Sequence, residues 1–470
     1  MAQAEALYRQ ILTAEPGHAE TCNLLGVLSL QTGRPAEAVS LLELAVAGDA
    51  SDIRYRGNLG AAYFTAKRYE DARTTLERTV RDDPANPEGH YNLAATLAEL
   101  NRFDEAEVSY DRCLRLQPDH SSTRNNLGNM LREQGRYDEA LVHLDRALTI
   151  DPKSAYAHYN RALVWLSLGR LTEGWAEYEW RWYSHDFKPR HQNRPQWDGR
   201  PLDKQMLVVH AEQGLGDTIQ FVRYLGEVRR RSPTTIVEVQ PSLIGLLRQS
   251  GIGGLVAQGA PLPPFDVQIP MASLPLALGT TPATIPADIP YLQAHSELAA
   301  AWRDHLSRFA GFKIGIAWQG NPTYREDRFR SIALAEFAPL AEVPGVRLFS
   351  LQKGPGVEQL ASVKQQLRII DLGTNIDVGT GPFLDTAAIM KSLDLVITSD
   401  TVSAHLAGAL GVRVWVALRR APDWRWLAAG DSSPWYPTMR LFRQRALGDW
   451  PQVFRDMADE LGRIVSGEIA

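Results

Sequence analysis

Two consecutive stretches of equal length decide the fold of the first part of this chain. They read IRYRGNLGAAYFTAKRYEDARTTLERTVRDDPAN at residues 53–86 and PEGHYNLAATLAELNRFDEAEVSYDRCLRLQPDH at residues 87–120. Aligned with each other, they place small residues at two shared positions, which pair Gly60 with Ala94 and Ala72 with Ala106. Small side chains at fixed positions let two helices approach closely, so each stretch predicts a packed helix pair. The chain therefore contains an internal repeat.

The same period of 34 residues continues in both directions. One column of small residues reads Gly26, Gly60, Ala94, Gly128 and Ala162, and prolines end units at Pro16, Pro84, Pro118 and Pro152. This pattern is typical of tetratricopeptide repeats (TPRs), because proline cannot continue the preceding helix. We predict a TPR domain over 1–188, with full units at 19–52, 53–86, 87–120 and 121–154 and a degenerate last unit. The helix before Pro16 resembles a second helix, so the array is expected to begin within a unit.

Composition excludes several classes of protein. The chain has 470 residues, a net charge of -5 and a pI of about 6.2, which argues against a nucleic-acid partner held by bulk charge. No apolar run reaches the roughly 20 residues that a membrane helix needs, and the N-terminus lacks a secretion signal. Two cysteines and the spacing of the histidines predict neither a disulfide framework nor a metal site. A cytoplasmic protein is expected.

The remainder of the chain differs from the repeats, since all 12 tryptophans lie at or after Trp165. From about residue 205, short apolar runs alternate with helical stretches. The runs predict one set of strands at 206–209, 236–239 and 267–269 and a second set at 314–318, 347–351, 395–397 and 414–418. Such alternation predicts parallel sheets in two Rossmann-like halves, at 205–295 and 296–470, after a linker at 189–204. Ligands bind such sheets beyond the carboxyl ends of the strands.

The first candidate motif follows the first of these strands and reads HAEQGLGDTIQF at 210–221. Gly214 and Gly216 allow a tight turn and the close approach of a ligand to the backbone. Asp217 stands at the start of the next helix. Its carboxylate either points into the crevice as a functional group or only caps the helix.

The second candidate motif reads SDTVSAHLAGALG at 399–411, after another predicted strand. Asp400 and Thr401 fall at the start of a helix, where unpaired N–H groups and the helix dipole attract an anion such as a diphosphate. His405 lies four residues after Thr401 and therefore on the same helix face. It either donates to a phosphate oxygen or is an ordinary core histidine.

Together the two motifs resemble the heptosyltransferase-type family of GT-B glycosyltransferases. The fusion to TPRs resembles bacterial protein glycosyltransferases, including flagellin-modifying enzymes, and more distantly O-GlcNAc transferase. The resemblance implies an α plus α/β chain, in which a TPR superhelix precedes a GT-B module of two Rossmann-like halves. It further implies an inverting, metal-independent transferase that needs no cofactor beyond its nucleotide-sugar co-substrate. Val402 replaces the glycine usual in heptosyltransferases, which argues against ADP-heptose as the donor.

The resemblance also implies roles for individual residues. Asp217 matches the proposed catalytic base, and Asp400, Thr401 and His405 match the loop and helix that bind the nucleotide-diphosphate sugar. Lys353 either faces the diphosphate or is a solvated loop lysine. Further donor-side candidates are Gln319 and Asn321, after the first strand of the second half, and Asp385 and Thr386, at a helix start where Asp385 could instead be the N-cap.

A column of asparagines marks the repeats, at Asn58, Asn92, Asn126 and Asn160. A primary amide offers both a donor and an acceptor, so a row of them can hold a peptide backbone. This resembles the asparagine ladder of O-GlcNAc transferase, although Leu24 interrupts the column in the first unit. The alternative is that these amides only satisfy hydrogen bonds within the array. Acceptor binding is assigned to this column together with Gly214 and Gly216.

The sequence thus predicts a glycosyltransferase that moves a sugar from a nucleotide sugar to a protein or peptide acceptor held by the repeats. One alternative is a repeat adaptor with a catalytically idle nucleotide-binding module. Another is an enzyme similar to heptosyltransferases that acts on a glycan or lipid acceptor. The sequence leaves oligomerisation open.

Overall fold

A computed structural model describes residues 1–184, 187–363, 365–372 and 376–469. The chain divides into two compact units, 1–161 and 162–470. The division falls within the degenerate last repeat, while the domain limits at 188, 204 and 295 stay predictions. Within the described ranges, no helix has the length and apolar character needed to cross a lipid bilayer.

The first unit consists of helices joined in pairs by short turns. Their bounds are α1 Ala2–Ala14, α2 Ala19–Gln31, α3 Pro35–Gly48, α4 Ile53–Thr65, α5 Tyr69–Asp82, α6 Pro87–Glu99, α7 Phe103–Leu116, α8 Ser121–Glu133, α9 Tyr137–Ile150 and α10 Ala155–Ser167, which runs past residue 161. The pairs α2–α3, α4–α5, α6–α7 and α8–α9 coincide with the four predicted units.

Local sequence explains where the helices of each pair begin and end. The first helix of a unit starts behind a capping side chain: Asp52 accepts from the Arg54 N–H, and Asn86 accepts from the Gly89 N–H. The turn to the second helix places one residue in the left-handed region, at Gly33, Lys67, Asn101, Gly135 and Gly169. A helix commonly ends on such a residue, and here it recurs with the 34-residue period.

Close helix packing explains the column of small residues. A Cβ added at Gly60 would lie 2.5 Å from Cγ of Leu76, and one added at Gly26 would lie 2.6 Å from Cγ of Leu42. Sixteen residues after each glycine of the column stands a leucine, whereas Tyr110 and Tyr178 stand sixteen residues after the two alanines. The residue in the small-residue column therefore varies together with the residue sixteen positions later in the sequence, glycine with leucine and alanine with tyrosine.

The second unit contains two sheets whose strands pair in parallel. Their strands are β1 Leu207–His210, β2 Thr235–Val239, β3 Leu255–Ala257, β4 Val267–Pro270, β5 Phe312–Ala317, β6 Val346–Ser350, β7 Ile370–Asp371, β8 Leu395–Ser399, β9 Val414–Leu418 and β10 Met439–Arg443. The first sheet has the order β3-β2-β1-β4 and the second the order β10-β9-β8-β5-β6-β7. The predicted parallel sheets are confirmed, while β3, β7 and β10 were missed.

Helices connect these strands. The α-helices are α11 Leu171–Tyr178, α12 Leu215–Phe221, α13 Leu225–Arg231, α14 Ile244–Gln249, α15 Leu274–Ala277, α16 Ser296–Ser307, α17 Asp327–Arg330, α18 Ala338–Glu342, α19 Leu360–Val363, α20 Leu384–Met390, α21 Val402–Ala409 and α22 Trp450–Val465. Short 3-10 helices lie at Glu179–Tyr183, Val222–Tyr224, Pro241–Leu243, Met271–Ser273, Pro282–Thr284, Leu334–Phe337, Val357–Gln359 and Trp424–Trp426.

A buried arginine joins the two sheet-bearing halves of this unit. Arg223, which is 8% exposed, donates to the Trp435 carbonyl at 2.6 Å and to the Tyr291 hydroxyl at 2.9 Å. Its guanidinium also lies 4.5 Å from the centroid of the Tyr436 ring. A buried guanidinium needs several partners, and here they come from both halves, so the contact holds the halves in a defined arrangement.

The tryptophan-rich end of the unit adds a second contact between the same halves. Trp175 on α11 donates to the Thr280 carbonyl at 3.2 Å and packs edge-on against Trp424, with ring centroids 5.2 Å apart. Trp435 packs on the same pair of rings. The helix α11 therefore contacts a segment that follows β4 and a segment that lies between β9 and β10.

Gly60→Ala should destabilise the first unit, because the new methyl group meets Leu76, which has little freedom to move. We expect a loss of about 1–3 kcal/mol in the free energy of unfolding, the usual cost of overpacking. Gly57→Ala in the same helix is the matched control, since a Cβ there meets nothing within 4 Å. Removing a helix-interior glycine should instead stabilise by roughly 0.5–1 kcal/mol. Urea unfolding followed by circular dichroism checks both; equal effects of the two substitutions would contradict the packing argument.

Candidate functional site

Asp217 lies in the first turn of α12, just beyond the carboxyl end of β1. One carboxylate oxygen, Oδ2, accepts the Gly214 N–H at 2.8 Å, and the other, Oδ1, pairs with the Arg425 guanidinium. The side chain is 24% exposed. Asp217 therefore does stabilise the helix start, and it also keeps a partly accessible carboxylate at the edge where parallel sheets bind ligands.

The second motif lies at the corresponding edge of the other sheet. Thr401 is the N-cap residue of α21, and its hydroxyl lies 3.3 Å from that of Thr398 rather than over the first turn. Asp400 immediately precedes it, at the end of β8. The N–H groups of the first turn of α21 thus begin beside Asp400 and Thr401, as the sequence predicts.

The two motifs meet where α12 packs on α21. A Cβ added at Gly216 would lie 2.7 Å from Cδ2 of His405. The His405 ring stacks on Trp426 at 5.2 Å between centroids, and its Nδ1 lies 3.0 Å from the Tyr436 hydroxyl. Burial lowers the pKa of His405 well below its usual value, so the ring is neutral. Gly216 and His405 are packing residues here, and their predicted ligand contacts stay predictions.

Arg425 connects Asp217 to the second half. Its Nε donates to Oε1 of Gln220 at 2.7 Å, and its Nη1 donates to Oδ1 of Asp423 at 2.8 Å. Burial alone would lower the pKa of Arg425, but the carboxylates of Asp217 and Asp423 raise it above its usual value. Sequence analysis missed this residue as part of the site, although the stretch DWRW at 423–426 is unusual in composition.

Asp400 sits in a charged environment of both signs. Burial raises the pKa of the Asp400 carboxyl, and the neighbouring Asp423 raises it further, while Arg330 opposes the rise. Burial would also raise the pKa of Asp423, but the charge and hydrogen bonds of Arg425 hold it below its usual value. The pKa values of the two neighbouring carboxyls are thus shifted in opposite directions, and Asp423 is the one that loses its proton more readily.

Arg330 is a second residue that sequence analysis missed. It lies on the short helix α17, where its Nε donates to Oδ1 of Asp327 at 3.1 Å. The Ser331 hydroxyl donates to the other oxygen of Asp327 at 2.7 Å and accepts the Gly320 N–H at 3.1 Å. This network fixes Arg330 against the loop after β5, close enough to Asp400 for their charges to interact. The sequence feature that could have indicated Arg330 is the charged run REDRFR at 325–330, which lies directly after that loop.

Gln319 and Asn321 lie in this same loop. The Gln319 amide oxygen accepts from Gln359 at 3.0 Å, and its backbone N–H donates to Gln352 at 3.0 Å. Asn321 accepts from the N–H of Thr323 at 3.0 Å, which closes an exposed turn. Gln319 is therefore held in place by the loop after β6, whereas Asn321 shapes its own loop.

Lys353, Asp385 and Thr386 are brought together around Asp377. Lys353 Nζ donates to Asp377 Oδ2 at 2.8 Å, and the Thr386 hydroxyl donates to the same oxygen at 2.6 Å. Asp385 accepts from the Asp377 N–H at 2.9 Å and from the Trp302 indole at 2.8 Å. Asp385 thus organises the preceding loop rather than capping its own helix, and Lys353 is engaged with a carboxylate.

A buried network supports the loop that carries Asp217. Glu212, with 3% of its side chain exposed, accepts the N–H groups of Met271 and Ala272 at 3.1 Å each. Arg181 lies 3.6 Å from Glu212 and donates to the Ser273 hydroxyl at 2.7 Å. Burial raises the pKa of Glu212 to about 7, although Arg181 opposes the rise. Sequence analysis had no means of pairing these residues.

The asparagines of the first unit bond across neighbouring repeats. Asn58 donates to Asn23 at 2.7 Å, Asn160 donates to Asn125 at 2.9 Å, and Asn126 donates to the Tyr91 hydroxyl at 3.1 Å. In the described part of the chain, the Asn92 amide makes no side-chain hydrogen bond, although its backbone carbonyl accepts from Thr96. Three of the four asparagines therefore make side-chain hydrogen bonds within the array, as the alternative interpretation expects. Contacts between this column and an acceptor stay predictions.

Across residues 1–184, 187–363, 365–372 and 376–469, three or more His, Cys, Asp or Glu side chains nowhere assemble into a group that could hold a metal ion. The charged side chains of the candidate site instead form a row of neighbours, from Asp217 through Arg425 and Asp423 to Asp400 and Arg330, in which the carboxyls of Asp423 and Asp400 are adjacent. Such an arrangement combines a partly exposed carboxylate with cations placed near a helix start.

Comparison with protein families identifies the repeats. Family models described as TPR or tetratricopeptide repeats match residues 1–63, 58–121, 109–142 and 128–169. The N-terminal part of the chain thus consists of TPRs, as predicted, and TPRs serve as protein-binding scaffolds.

A curated relative extends beyond the repeats. The protein FlbA of Caulobacter vibrioides is 27% identical over 341 residues, which cover 65% of this chain and 55% of FlbA. The chain thus spans about half the length of this relative. Residues 1–169 alone could not supply 65% of the chain, so the similarity reaches into the region of parallel sheets.

Several solved structures are similar to about a third of the chain. MamA is 24% identical and covers 32% of this chain and 88% of its own, with a TM-score of 0.29. A thermophilic TPR protein of Thermus thermophilus is 21% identical, covers 36% and 92%, and has a TM-score of 0.33. YrrB, a TPR protein with an unusual peptide-binding site, is 20% identical, covers 39% and 93%, and has a TM-score of 0.30.

Asp400→Asn should change how the stability of the second unit depends on pH. The folded-state pKa of Asp400 is raised to about 6, so its contribution to stability is fully present below the unfolded value near 3.9 and is lost as the pH rises past 6. The variant should therefore gain roughly 1–3 kcal/mol relative to the wild type between pH 4 and pH 7. Tryptophan fluorescence during urea unfolding measures this unit, because all 12 tryptophans lie at or after Trp165.

The exposed residue Asp459 on α22 provides the control, and Asp459→Asn should leave the pH dependence unchanged. If the free energy of unfolding depends on pH in the same way in the wild type and in Asp400→Asn, the folded environment does not favour the neutral form of the Asp400 carboxyl.

Proposed function

We propose that this chain is an inverting, metal-independent glycosyltransferase that moves a sugar from a nucleotide sugar to a protein acceptor. The proposal assigns a GT-B module to the sheet-bearing region, with the acceptor side at 205–295 and the nucleotide-sugar side at 296–470. The TPRs hold the acceptor as an extended peptide. The nucleotide sugar is a co-substrate, and no resident cofactor is assigned.

One observation carries the proposal: the two motifs that resemble a glycosyltransferase meet at one place in the second unit. Gly216 packs against His405, and Arg425 links Asp217 to the loop beside Asp400. Both motifs follow strands of parallel sheets, at the edge where such sheets bind ligands. Separate packing roles for the two motifs would not require them to converge in this way.

Asp217 has the position and chemistry of the proton acceptor. In an inverting transfer the acceptor hydroxyl attacks the anomeric carbon directly, and its proton must leave as the new bond forms. A partly exposed carboxylate at the acceptor side takes that proton, and such general-base assistance typically contributes 10²–10⁴-fold, as an order of magnitude. The second oxygen of Asp217 stays bound to the Gly214 N–H, which fixes the direction of the first.

The donor side supplies positive charge for the departing nucleoside diphosphate. The first turn of α21 presents N–H groups beside Thr401, and Arg330 lies near Asp400. We assign the diphosphate to these groups, because preorganised donors stabilise charge that develops on a leaving group. Lys353 belongs to the same side but must first exchange its contact with Asp377.

The carboxyls on the donor side suit the sugar rather than the diphosphate. Asp400 and Asp423 would repel phosphate if both were ionised, whereas carboxyl oxygens accept hydrogen bonds from sugar hydroxyls. Gln319 contributes a further polar group at the loop after β5. We therefore assign the phosphate to Arg330 and α21 and the sugar hydroxyls to the carboxyls.

Asp217→Asn should lower sugar transfer by about 10²–10⁴-fold, because the amide retains the contact with Gly214 but accepts no proton. Donor binding should remain close to that of the wild type. Co-expression followed by mass spectrometry identifies the modified protein and the added mass, and calorimetry with a panel of nucleotide sugars measures donor binding. The exposed residue Asp203 provides the control, and Asp203→Asn should transfer normally.

Transfer by Asp217→Asn at the wild-type rate would show that Asp217 only stabilises the helix start. Nucleotide binding by the wild type without turnover on any protein would favour the adaptor alternative. Transfer to a glycan or lipid in place of a protein would favour the alternative that resembles heptosyltransferases.

Asn92→Ala should weaken binding of the acceptor peptide by roughly 5–10-fold, the loss of about one hydrogen bond, without lowering stability. Asn58→Ala should weaken binding to a similar extent and also lower the free energy of unfolding by about 1 kcal/mol, because Asn23 loses its partner. Binding is measured by fluorescence anisotropy with a peptide from the acceptor protein that the mass spectrometry identifies. Unchanged binding in both variants would remove the asparagine column from the acceptor site.

A further inference from the structure

Arg425 is a buried cation to which the mechanism above gives no role. The residue is 7% exposed and lies in the 3-10 helix Trp424–Trp426. Its guanidinium lies 4.2 Å from the centroid of the Trp424 ring, which holds its plane in place. Because a buried charge is costly without partners, the identity of those partners indicates what the residue does.

The partners of Arg425 come from both sides of the candidate site. Nε donates to Gln220 on α12 at 2.7 Å, Nη1 donates to Asp423 at 2.8 Å, and Nη2 pairs with Asp217. Each of the three nitrogens thus serves a different side chain. One guanidinium is shared between two carboxylates, of which only Asp217 lies on the first half.

This sharing matters at the moment of proton transfer. When Asp217 accepts a proton it becomes neutral, and a guanidinium paired with Asp217 alone would be left buried without a counter-charge. Asp423 remains bonded to Nη1 of the guanidinium throughout, and its carboxylate is itself held in place by accepting the Arg425 backbone N–H at 3.0 Å. The pair can therefore lose one negative charge without leaving the cation unpaired.

We propose that Arg425 is a positioning residue of the transfer reaction: it holds the Asp217 carboxylate in one orientation, and Asp423 retains the guanidinium once Asp217 has taken the acceptor proton. This role rests on the proposed glycosyltransferase function. In the step concerned, the acceptor O–H bond breaks as the bond from that oxygen to the anomeric carbon forms. The bond from the anomeric carbon to the phosphate oxygen breaks, the nucleoside diphosphate leaves with the electron pair, and the proton ends on Asp217.

Other titratable groups also face Asp217. Glu212 in the preceding loop and Tyr178 on α11 interact with its charge, and the neutral His405 on α21 packs on the adjacent Gly216. Neither Glu212 nor Tyr178 bonds to Asp217 directly, whereas Arg425 does. Changes at Arg425 and Asp423 should therefore dominate the pH dependence that Asp217 imposes.

The test measures the pH profile of kcat/KM for transfer in two variants that should move it in opposite directions. In Arg425→Met the carboxylate loses its cation, so the acid limb should move up by about 1–2 pH units and the plateau should fall by roughly 10–100-fold. In Asp423→Asn the guanidinium is no longer shared, so the acid limb should move down. Arg425→Lys keeps the charge and should preserve the position of the limb better than Arg425→Met.

The control is the exposed residue Arg420, and Arg420→Met should leave both limb and plateau unchanged. Tryptophan fluorescence establishes that each variant is folded, and Asp423→Asn and Arg425→Lys decide the matter if Arg425→Met does not fold. The role of Arg425 alone would be overturned if the acid limb of the pH profile stays in place in both variants. It would also be overturned if the limb moves in the same direction in Arg425→Met and Asp423→Asn. Absence of any sugar transfer by the wild type would overturn the proposed function and this role together.

Discussion

The contact between Gly216 and the His405 ring is the constraint on which the candidate site depends. It lets α12 and α21 approach closely, and these two helices carry or adjoin Asp217, Gln220, Thr401 and His405. A methyl group at position 216 would lie 2.7 Å from the ring, so any larger residue would separate the helices. Because Asp217 follows Gly216 directly, a shift at this crossing would move the carboxylate away from Arg425. Glycine is therefore required here by a neighbouring side chain, since neither a sharp turn nor a left-handed backbone occurs at this residue.

Three buried arginines connect separate segments of the second unit to one another near this contact. Arg181 supports the loop before Asp217, Arg223 joins Tyr291 to Trp435, and Arg425 joins Asp217 to Asp423. Each guanidinium serves partners that are far apart in sequence. Buried charges of this kind contribute less to overall stability than to the choice of one arrangement, because an alternative packing would leave them unpaired. The positions of Asp217 and Asp423 are thus fixed by directional bonds, while the second sheet is held by apolar contacts.

Periodicity made the repeats and most strands predictable, because a local pattern reports local structure. The strand β7 has only two residues, and β10 contains the charged residues Arg440 and Arg443, so neither presents the buried run that marks β8 or β9. Asp217 and Asp400 could be predicted because each lies in a short motif beside a strand. Arg330 and Arg425 could not, since their importance comes from partners on other segments. Lys353 shows the same limit, because its contact with Asp377 is made through a loop whose position the sequence does not reveal.

The correspondence between the small residue and the residue sixteen positions later in each repeat bears on how such an array can change over evolution. Gly60 faces Leu76 within one unit, and the alanine of the next unit precedes Tyr110 by the same sixteen residues. Because both members of each match belong to one unit, duplication or loss of a whole unit leaves every match intact. Recombination in the middle of a unit would join an alanine to a leucine or a glycine to a tyrosine. The array is therefore free to change its length in whole units, while its breakpoints are confined to the borders between them.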